Sequence, residues 1–389
     1  MTNRPNPDYL KWARSSQRRT MQKNLLAIAT SSLEVKHAEL DADPYLLNLE
    51  NGTLDLRTGK IRPHRPGDLL TKIAPVHYEE AAVCPRFMAF LNRIFADDQE
   101  LIRFMQKALG YSLTGAVTEQ VFFLCYGTGA NGKSTLMELV SLALGDYALA
   151  APPGLLLAKK HDGHPTDIAD LFGSRFTHTS EVKTDAKFDE QRIKSFTGGD
   201  TLKARRMRED FWAFQPTHKI WVSTNHKPEV QDSSHGFWRR VRMIPFTVTI
   251  PEKEKDPHLL RKLRAELPGI LNWMIAGCLA WQAEGLGTCV AVEKATADYR
   301  AESDSMADFV EERCDCGAAY EVQSTVLYQA YVAWANTRKE RPESIKAFGE
   351  RIRELGYRPR KASTMFYVGL RLKPDGDIRI EDHPTGLCR

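Results

Sequence analysis

Apolar and polar positions along the chain fall into blocks of different period. Val121-Phe122-Phe123-Leu124-Cys125-Tyr126 is an unbroken apolar run, which predicts a strand buried on both faces. Beyond the next loop, Leu136, Leu139, Val140, Ala143 and Leu144 recur at helical spacing and predict a helix packed on a sheet. Arg175-Phe176-Thr177-His178-Thr179-Ser180-Glu181 and Ile220-Trp221-Val222-Ser223-Thr224-Asn225 read as two more strands, each ending in a polar side chain. Trp238 to Phe246 sets the pair Arg239-Arg240 just before another apolar strand. Residues from Gly115 to about Phe246 thus alternate strand and helix, as an α/β core does.

The flanking blocks read differently. A basic, helical start carries Lys11, Arg14, Arg18, Arg19 and Lys23. Asn51-Gly52 predicts a hairpin turn between Leu46-Leu47-Asn48-Leu49 and Thr53-Leu54-Asp55-Leu56. Phe87, Phe90, Leu91, Ile94 and Phe95 lie at helical spacing and predict a helical stretch from about Pro85 to Leu109. Pro251 to Pro257 reads as a loop and Pro268 to Trp281 as a buried helix. Helices over Met306–Arg313, Ser324–Thr337 and Ser344–Leu355, then short strands at Met365–Val368 and Leu370–Leu372, follow the order of a winged helix-turn-helix. The expected domains are an α-rich segment with a small hairpin over 1–110, the α/β core over 111–300, a winged-helix-like module over 301–375 and a tail over 376–389.

Composition narrows the partners. With 42% hydrophobic and 27% charged residues the chain reads as globular, and its net charge of +4 leaves any nucleic-acid surface to local patches. Between Arg338 and Lys373 eleven Lys/Arg face four Asp/Glu, a local excess that favours DNA contact by Arg358, Arg360 and Lys361 on the expected wing. A polar, basic start and the absence of a spanning apolar stretch predict a cytoplasmic protein without a membrane anchor. Asn51-Gly52-Thr53 matches a glycosylation acceptor, which that setting makes a turn instead. The seven cysteines lack zinc-ligand spacing and are expected to be reduced thiols.

The chemistry concentrates in Gly127-Thr128-Gly129-Ala130-Asn131-Gly132-Lys133-Ser134, followed by Thr135, which satisfies G-x-x-x-x-G-K-[ST] in the strand-to-helix context that motif requires. Glycines let the backbone amides turn toward a phosphate, and the helix that follows adds its free amides. Lys133 supplies charge for the β- and γ-phosphates, and Ser134 an oxygen for Mg²⁺. The expected ligand is ATP with Mg²⁺. Glu181, at a strand end, is placed to activate water, and Asn225 to hold that water or sense the γ-phosphate.

The order of Glu181, Lys194-Ser195-Phe196-Thr197-Gly198-Gly199-Asp200, Ala204-Arg205, Ser223-Thr224-Asn225-His226-Lys227-Pro228 and Arg239-Arg240-Val241 with Ile244-Pro245-Phe246 resembles the superfamily 3 helicases. The likeness is to the helicase part of phage, plasmid and large-DNA-virus primase–helicases. It extends to Leu46–Leu56 and Leu109–Gly115. The resemblance implies an AAA+-type core assembled as a ring, usually a hexamer, that moves on single-stranded or forked DNA. It implies that Glu181 polarises water, with Ser134 beside it at the metal, and that Asn225 acts as sensor. Arg240, with Arg239, would reach a neighbouring subunit as an arginine finger. Lys203 to Phe214 resembles the hairpin that lines the channel, with Lys203, Arg206 and Arg208 on DNA phosphates. Ser180 stands where many such proteins carry a second acid.

Two other readings remain in view. Relatives often carry a primase module upstream; Asp41-Ala42-Asp43 is a poor metal pair, so a primase is expected as a separate partner or a preceding segment. An ATP-switched, origin-binding scaffold without unwinding activity is the alternative from a different class.

Overall fold

The computed structural model describes residues 6–32, 35–36, 39–158, 166–180, 186–230, 235–338 and 342–374. It opens with helices α1 (Pro7–Ser16) and α2 (Arg19–Ser32), then an antiparallel meander of β1 (Leu46–Leu49), β2 (Gly52–Asp55) and β3 (Lys60–Arg62). The Asn51-Gly52 turn is where the sequence places it, with Leu49 opposite Gly52 and Leu46 opposite Asp55. Asp41 and Asp43 are both engaged locally, Asp41 accepting from the Thr71 amide at 2.9 Å and Asp43 pairing with Arg57 at 2.8 Å.

The helical stretch expected over 85–109 is there and consists of two helices, α3 (Pro85–Ile94) and α4 (Gln99–Leu113). Ala96 and Asp97 take left-handed backbone angles (φ 52° and 60°), and the Asp98 carboxylate caps the new helix by accepting from the Leu101 amide at 3.0 Å. The expected boundary at residue 110 falls inside α4, whose apolar side belongs to the same core as the sheet.

That sheet has five parallel strands: β4 (Phe122–Tyr126), β5 (Ala148–Ala150), β6 (Phe176–Ser180), β9 (Lys219–Thr224) and β10 (Val241–Pro245), in the order β10-β4-β9-β6-β5. Between β6 and β9 lie α7 (Glu190–Thr197) and a hairpin of β7 (Leu202–Ala204) and β8 (Trp212–Phe214); α5 (Lys133–Leu144) and the short α6 (Thr166–Ala169) precede them, and α8 (His235–Trp238) precedes β10. Phe123 stacks on Trp221 at 4.1 Å within the layer shared with α4 and α5, while Phe122 meets Phe188 edge-on at 5.7 Å. Opposite alternation along β4 thus feeds two helical layers, which is why its sequence is apolar throughout.

After α9 (Leu259–Arg264), α10 (Leu267–Glu284) crosses α4 at very short range, followed by α11 (Val290–Glu302). A Cβ on Gly110 would lie 2.1 Å from the Cys278 amide nitrogen, and one on Gly277 would lie 2.0 Å from the Gln106 carbonyl oxygen. Small residues at both crossing points let the two backbones touch.

By its contacts the chain divides into two units, the described residues of 1–228 with 239–295, and those of 229–238 with 296–389. The second contains α12 (Ser305–Arg313), β11 (Cys314–Gln323), α13 (Ser324–Thr337), α14 (Ile345–Glu354), β12 (Arg358–Lys361) and β13 (Met365–Leu372), with strand order β11-β13-β12. Phe309, Leu327, Tyr331, Trp334, Phe348 and Leu370 form its core. The two strands expected at 365–368 and 370–372 are one, running through Gly369 at φ 98°, and the hairpin partner is Arg358–Lys361. A third strand, β11, also lies between the first two helices. Among the described residues no helix is long and apolar enough to cross a membrane, and the six described cysteines are free thiols.

Gly277→Ala should destabilise the first unit by about 1–3 kcal/mol, because the added methyl must push α4 and α10 apart. Chemical denaturation reads this as a lower midpoint. An unchanged midpoint would mean that the crossing is looser than described.

Candidate functional site

β4 leads through α5 toward β5 on one side of the sheet and its neighbour β9 leads to β10 on the other, so the direction of connection reverses at the C-terminal ends of β4 and β9, the place where open parallel sheets form a crevice. The loop from Gly127 to Gly132 leaves β4 there. Gly129, Ala130 and Gly132 have φ of 106°, 47° and 84°, a run that turns amides to one side of the chain. Only glycine fits at two positions: a Cβ on Gly127 would meet the Phe246 carbonyl oxygen at 2.3 Å, and one on Gly132 would meet Ile94 Cγ2 at 2.6 Å. Backbone bonds hold the loop, from the Gly127 amide to the Thr224 carbonyl (3.3 Å) and from the Ile250 amide to the Ala130 carbonyl (2.7 Å). α5 starts directly after Gly132 with no side-chain cap, so its first-turn amides are available to an anion.

Lys133 is buried, at 5% exposure, and its ammonium donates to the Gly127 carbonyl (2.6 Å), Asn131 Oδ1 (3.2 Å) and Asn225 Oδ1 (3.1 Å). Burial lowers its pKa, and the described oxygens around it are neutral. A negative charge brought near Lys133 would favour its protonated form and oppose the effect of burial. Asn131 is itself buried, its amide donating to the Phe246 carbonyl at 3.4 Å. Thr128, Ala130, Ser134 and Asn225 are exposed and Thr135 is half-buried.

Glu181 lies outside the described residues. β6 ends one residue earlier at Ser180, paired with Ser223 on β9, two residues from Asn225. Among the described residues no cluster of three or more His, Cys, Asp or Glu exists. Ser134, at the start of α5, has an exposed side chain that offers an oxygen at the mouth of the loop.

The two arginines separate. Arg240 turns inward: it is 9% exposed, and its guanidinium donates to Thr197 Oγ1 at 3.1 Å and to the Gln120 carbonyl at 3.4 Å. Arg239 is exposed, donating to Gln120 Oε1 at 2.9 Å. Of the pair, Arg239 is the exposed one in this chain and Arg240 the buried one.

Lys203, Arg206 and Arg208 all stand exposed on the β7–β8 hairpin, with Arg208 in a left-handed turn at φ 65°. The sequence reading missed Phe211, 51% exposed in the loop just before β8, with Lys203 Nζ 5.2 Å and the Arg205 guanidinium 4.7 Å from its ring. An aromatic interleaved with cations was the available signal. On β12, Arg358, Arg360 and Lys361 are exposed, but Arg360 is engaged by Glu321 (Nε to Oε1 2.8 Å). That leaves Arg358 and Lys361 as the better placed cations of the strand.

Residues 3–96 match the family described as D5 N terminal like, 125–240 a family of unknown function, and 301–375 the family described as Poxvirus D5 protein-like. A protein of Acanthamoeba polyphaga mimivirus, named a putative helicase, is 28% identical over 294 residues, covering 70% of this chain and 30% of that protein. A protein named a putative helicase from Frog virus 3 is 25% identical, covering 70% of this chain and 37% of its own. One named a putative primase from African swine fever virus (isolate Warthog/Namibia/Wart80/1980) is 24% identical, covering 76% and 34%. The chain thus spans about a third of the length of these relatives. The solved structure titled "The apo structure of NrS-1 C terminal region (305-718)" shares the fold, with a TM-score of 0.50, 13% identity and 90% of each chain covered. By these matches the chain is similar to proteins of large DNA viruses that are named putative helicases and primases.

Proposed function

We propose that this chain is the motor part of a replicative DNA helicase, an AAA+-type ATPase working as a ring beside a primase. One observation carries the reading: the Lys133 ammonium is held between the Gly127 carbonyl and Asn225 Oδ1 at the edge of the sheet where the loop amides converge. That couples the phosphate grip to the end of β9 in a single contact. The relatives' names support a role in replication, and the order of elements in the second unit supports a winged-helix-like module.

In this reading Lys133 and the loop amides bind the β- and γ-phosphates, and Asn225 positions the attacking water. Mg²⁺, when bound, neutralises charge on the phosphate oxygens. Glu181 accepts the proton as water attacks the γ-phosphorus and ADP leaves. Asn225 currently accepts from Lys133; a γ-phosphate would compete for that ammonium and release the amide, a direct route for sensing. Lys133→Ala should abolish ATP hydrolysis and unwinding together, whereas Glu181→Gln should retain ATP binding and lose turnover. Wild-type protein that binds ATP but shows no DNA-stimulated hydrolysis would favour the scaffold reading instead.

Arg239, being exposed, is assigned the finger that completes a neighbour's site. Arg239→Ala should cut hydrolysis by about a thousandfold with an unchanged melting temperature. Arg240→Ala should lower the melting temperature, because its guanidinium is packed against Thr197 and Gln120. Steady-state hydrolysis and thermal melting of both variants decide the assignment; the reverse pattern would return the finger to Arg240.

Lys203, Arg206 and Arg208 are assigned to the phosphates of a single strand. Neutralising all three should reduce the slope of log affinity against log salt by about two units. An unchanged slope would remove the hairpin from the DNA path.

A further inference from the structure

A cleft of about 890 Å³ opens beneath the β7–β8 hairpin. It sits at the far edge of the sheet from the loop at Gly127: its floor includes Arg175 and Thr217, just before β6 and β9 begin, and Tyr147, just before β5. The loop lies beyond the opposite ends of these parallel strands, so the cleft is a separate site. Its volume falls within the roughly 300–1,000 Å³ of small-ligand pockets.

The walls have a definite chemistry. Phe172, Trp212 and Phe214 form one aromatic cluster, with Phe172 edge-on to Trp212 (4.8 Å, 85°) and to Phe214 (5.4 Å, 83°), while Trp212 and Phe214 lean together at 4.9 Å and 32°. Phe172 and Trp212 are only partly buried, so aromatic surface faces the cleft. Around them stand the exposed Gln215, Glu209 and Arg206 and the half-buried Asp41; Gln215 Nε2 donates to Thr201 Oγ1 at 2.7 Å and Asp41 accepts from the Thr71 amide, which leaves the Gln215 carbonyl, the Glu209 carboxylate and the Arg206 guanidinium at the mouth. Arg175 does not add a free donor, because its guanidinium is already bonded to the Leu113 and Leu46 carbonyls at 2.7 and 2.8 Å.

Planar aromatic walls with donors and acceptors at the mouth suit a flat heterocycle with polar edges. The adjoining loop holds Lys203, Arg205, Arg206 and Arg208 against Glu209 and Asp210, so what arrives there is favoured to carry phosphate. We propose that the cleft takes one unstacked nucleobase of a single strand, stacked against Trp212 and Phe172, with its phosphate on Arg206. This rests on the assignment of the hairpin to DNA and adds a base-holding step to it. A base held at the root of the hairpin, rather than at its tip, would let the motor retain the strand between power strokes.

Photocrosslinking tests it, using the whole chain and a deoxythymidine strand carrying 5-iodouracil, with crosslinked peptides mapped by mass spectrometry. The expected products are on Trp212 or Phe172. Trp212→Ala should weaken binding of the intact strand about tenfold and leave an abasic strand unaffected, while Trp212→Phe should restore most of the loss. If Trp212→Ala shows no melting transition, the wild-type crosslink and the Trp212→Phe affinity decide. Crosslinks confined to Phe211 and the loop tip, with Trp212→Ala binding both strands as wild type, would overturn the cleft while sparing the hairpin. Free 5-iodo-deoxyuridine monophosphate crosslinking to Trp212 as efficiently as the strand would overturn the strand as occupant. Absence of crosslinks anywhere between residues 201 and 217 would remove the hairpin reading along with the cleft.

Discussion

Two buried cations set the frame on which everything else is mounted. Arg175 and Lys219 stand at the entrances of neighbouring parallel strands, and their described hydrogen bonds go to backbone carbonyls. Arg175 takes Leu113 at the end of α4 and Leu46 at the start of β1; Lys219 takes Thr114 as well as Ala116 (3.2 Å) and Thr217 (3.0 Å). The last carbonyls of a helix have no partners within it, and Arg175 on Leu113 with Lys219 on Thr114 supplies them at the end of α4. Burial and the proximity of Arg175 drive the Lys219 pKa well down, a cost the fold accepts in order to fix helix, hairpin and sheet in one register. The aromatic faces of Tyr147 (4.4 Å from Arg175) and Tyr111 (5.0 Å from Lys219) complete both pockets.

Fixing that edge positions the other. With α4 locked to the strand entrances, α3 and the start of α5 come together, and Phe90 and Ile94 close under Gly132. The loop is thereby held from below by apolar side chains and from the sides by Thr224 and Ile250. Lys133 then has a fixed oxygen cage into which an anion can be exchanged. The electrostatics therefore has one direction: neutral oxygens hold the ammonium until a stronger acceptor arrives.

What the sequence made legible was local. The buried run at 121–126, the glycine spacing and the Asn51-Gly52 turn depend on residues within a few positions, and each appears where expected. Where the reading failed, distant partners or unpatterned segments were responsible. The break at 95–98 is hidden because apolar spacing continues across it, and only the left-handed Ala96 and Asp97 end α3. Arg358 to Lys361 carries no alternation because all four residues are exposed, while Gly369 looked like a turn and lies inside a strand. Adjacent arginines look alike in sequence; Gln120 and Thr197, remote in the chain, turn Arg240 inward. The cleft draws on 40–44, 172–175 and 201–217, a juxtaposition no single window contains. Glu181, the acid that the resemblance assigns to water activation, lies outside the described residues.

Electron cryomicroscopy of the protein with a non-hydrolysable ATP analogue and a forked duplex tests the central claim most directly. The account predicts a closed ring with the triphosphate on residues 127–134, Arg239 of the next subunit directed at it, and single-stranded DNA threading past the β7–β8 hairpins. A monomer carrying nucleotide, with DNA held elsewhere on its surface, would contradict it.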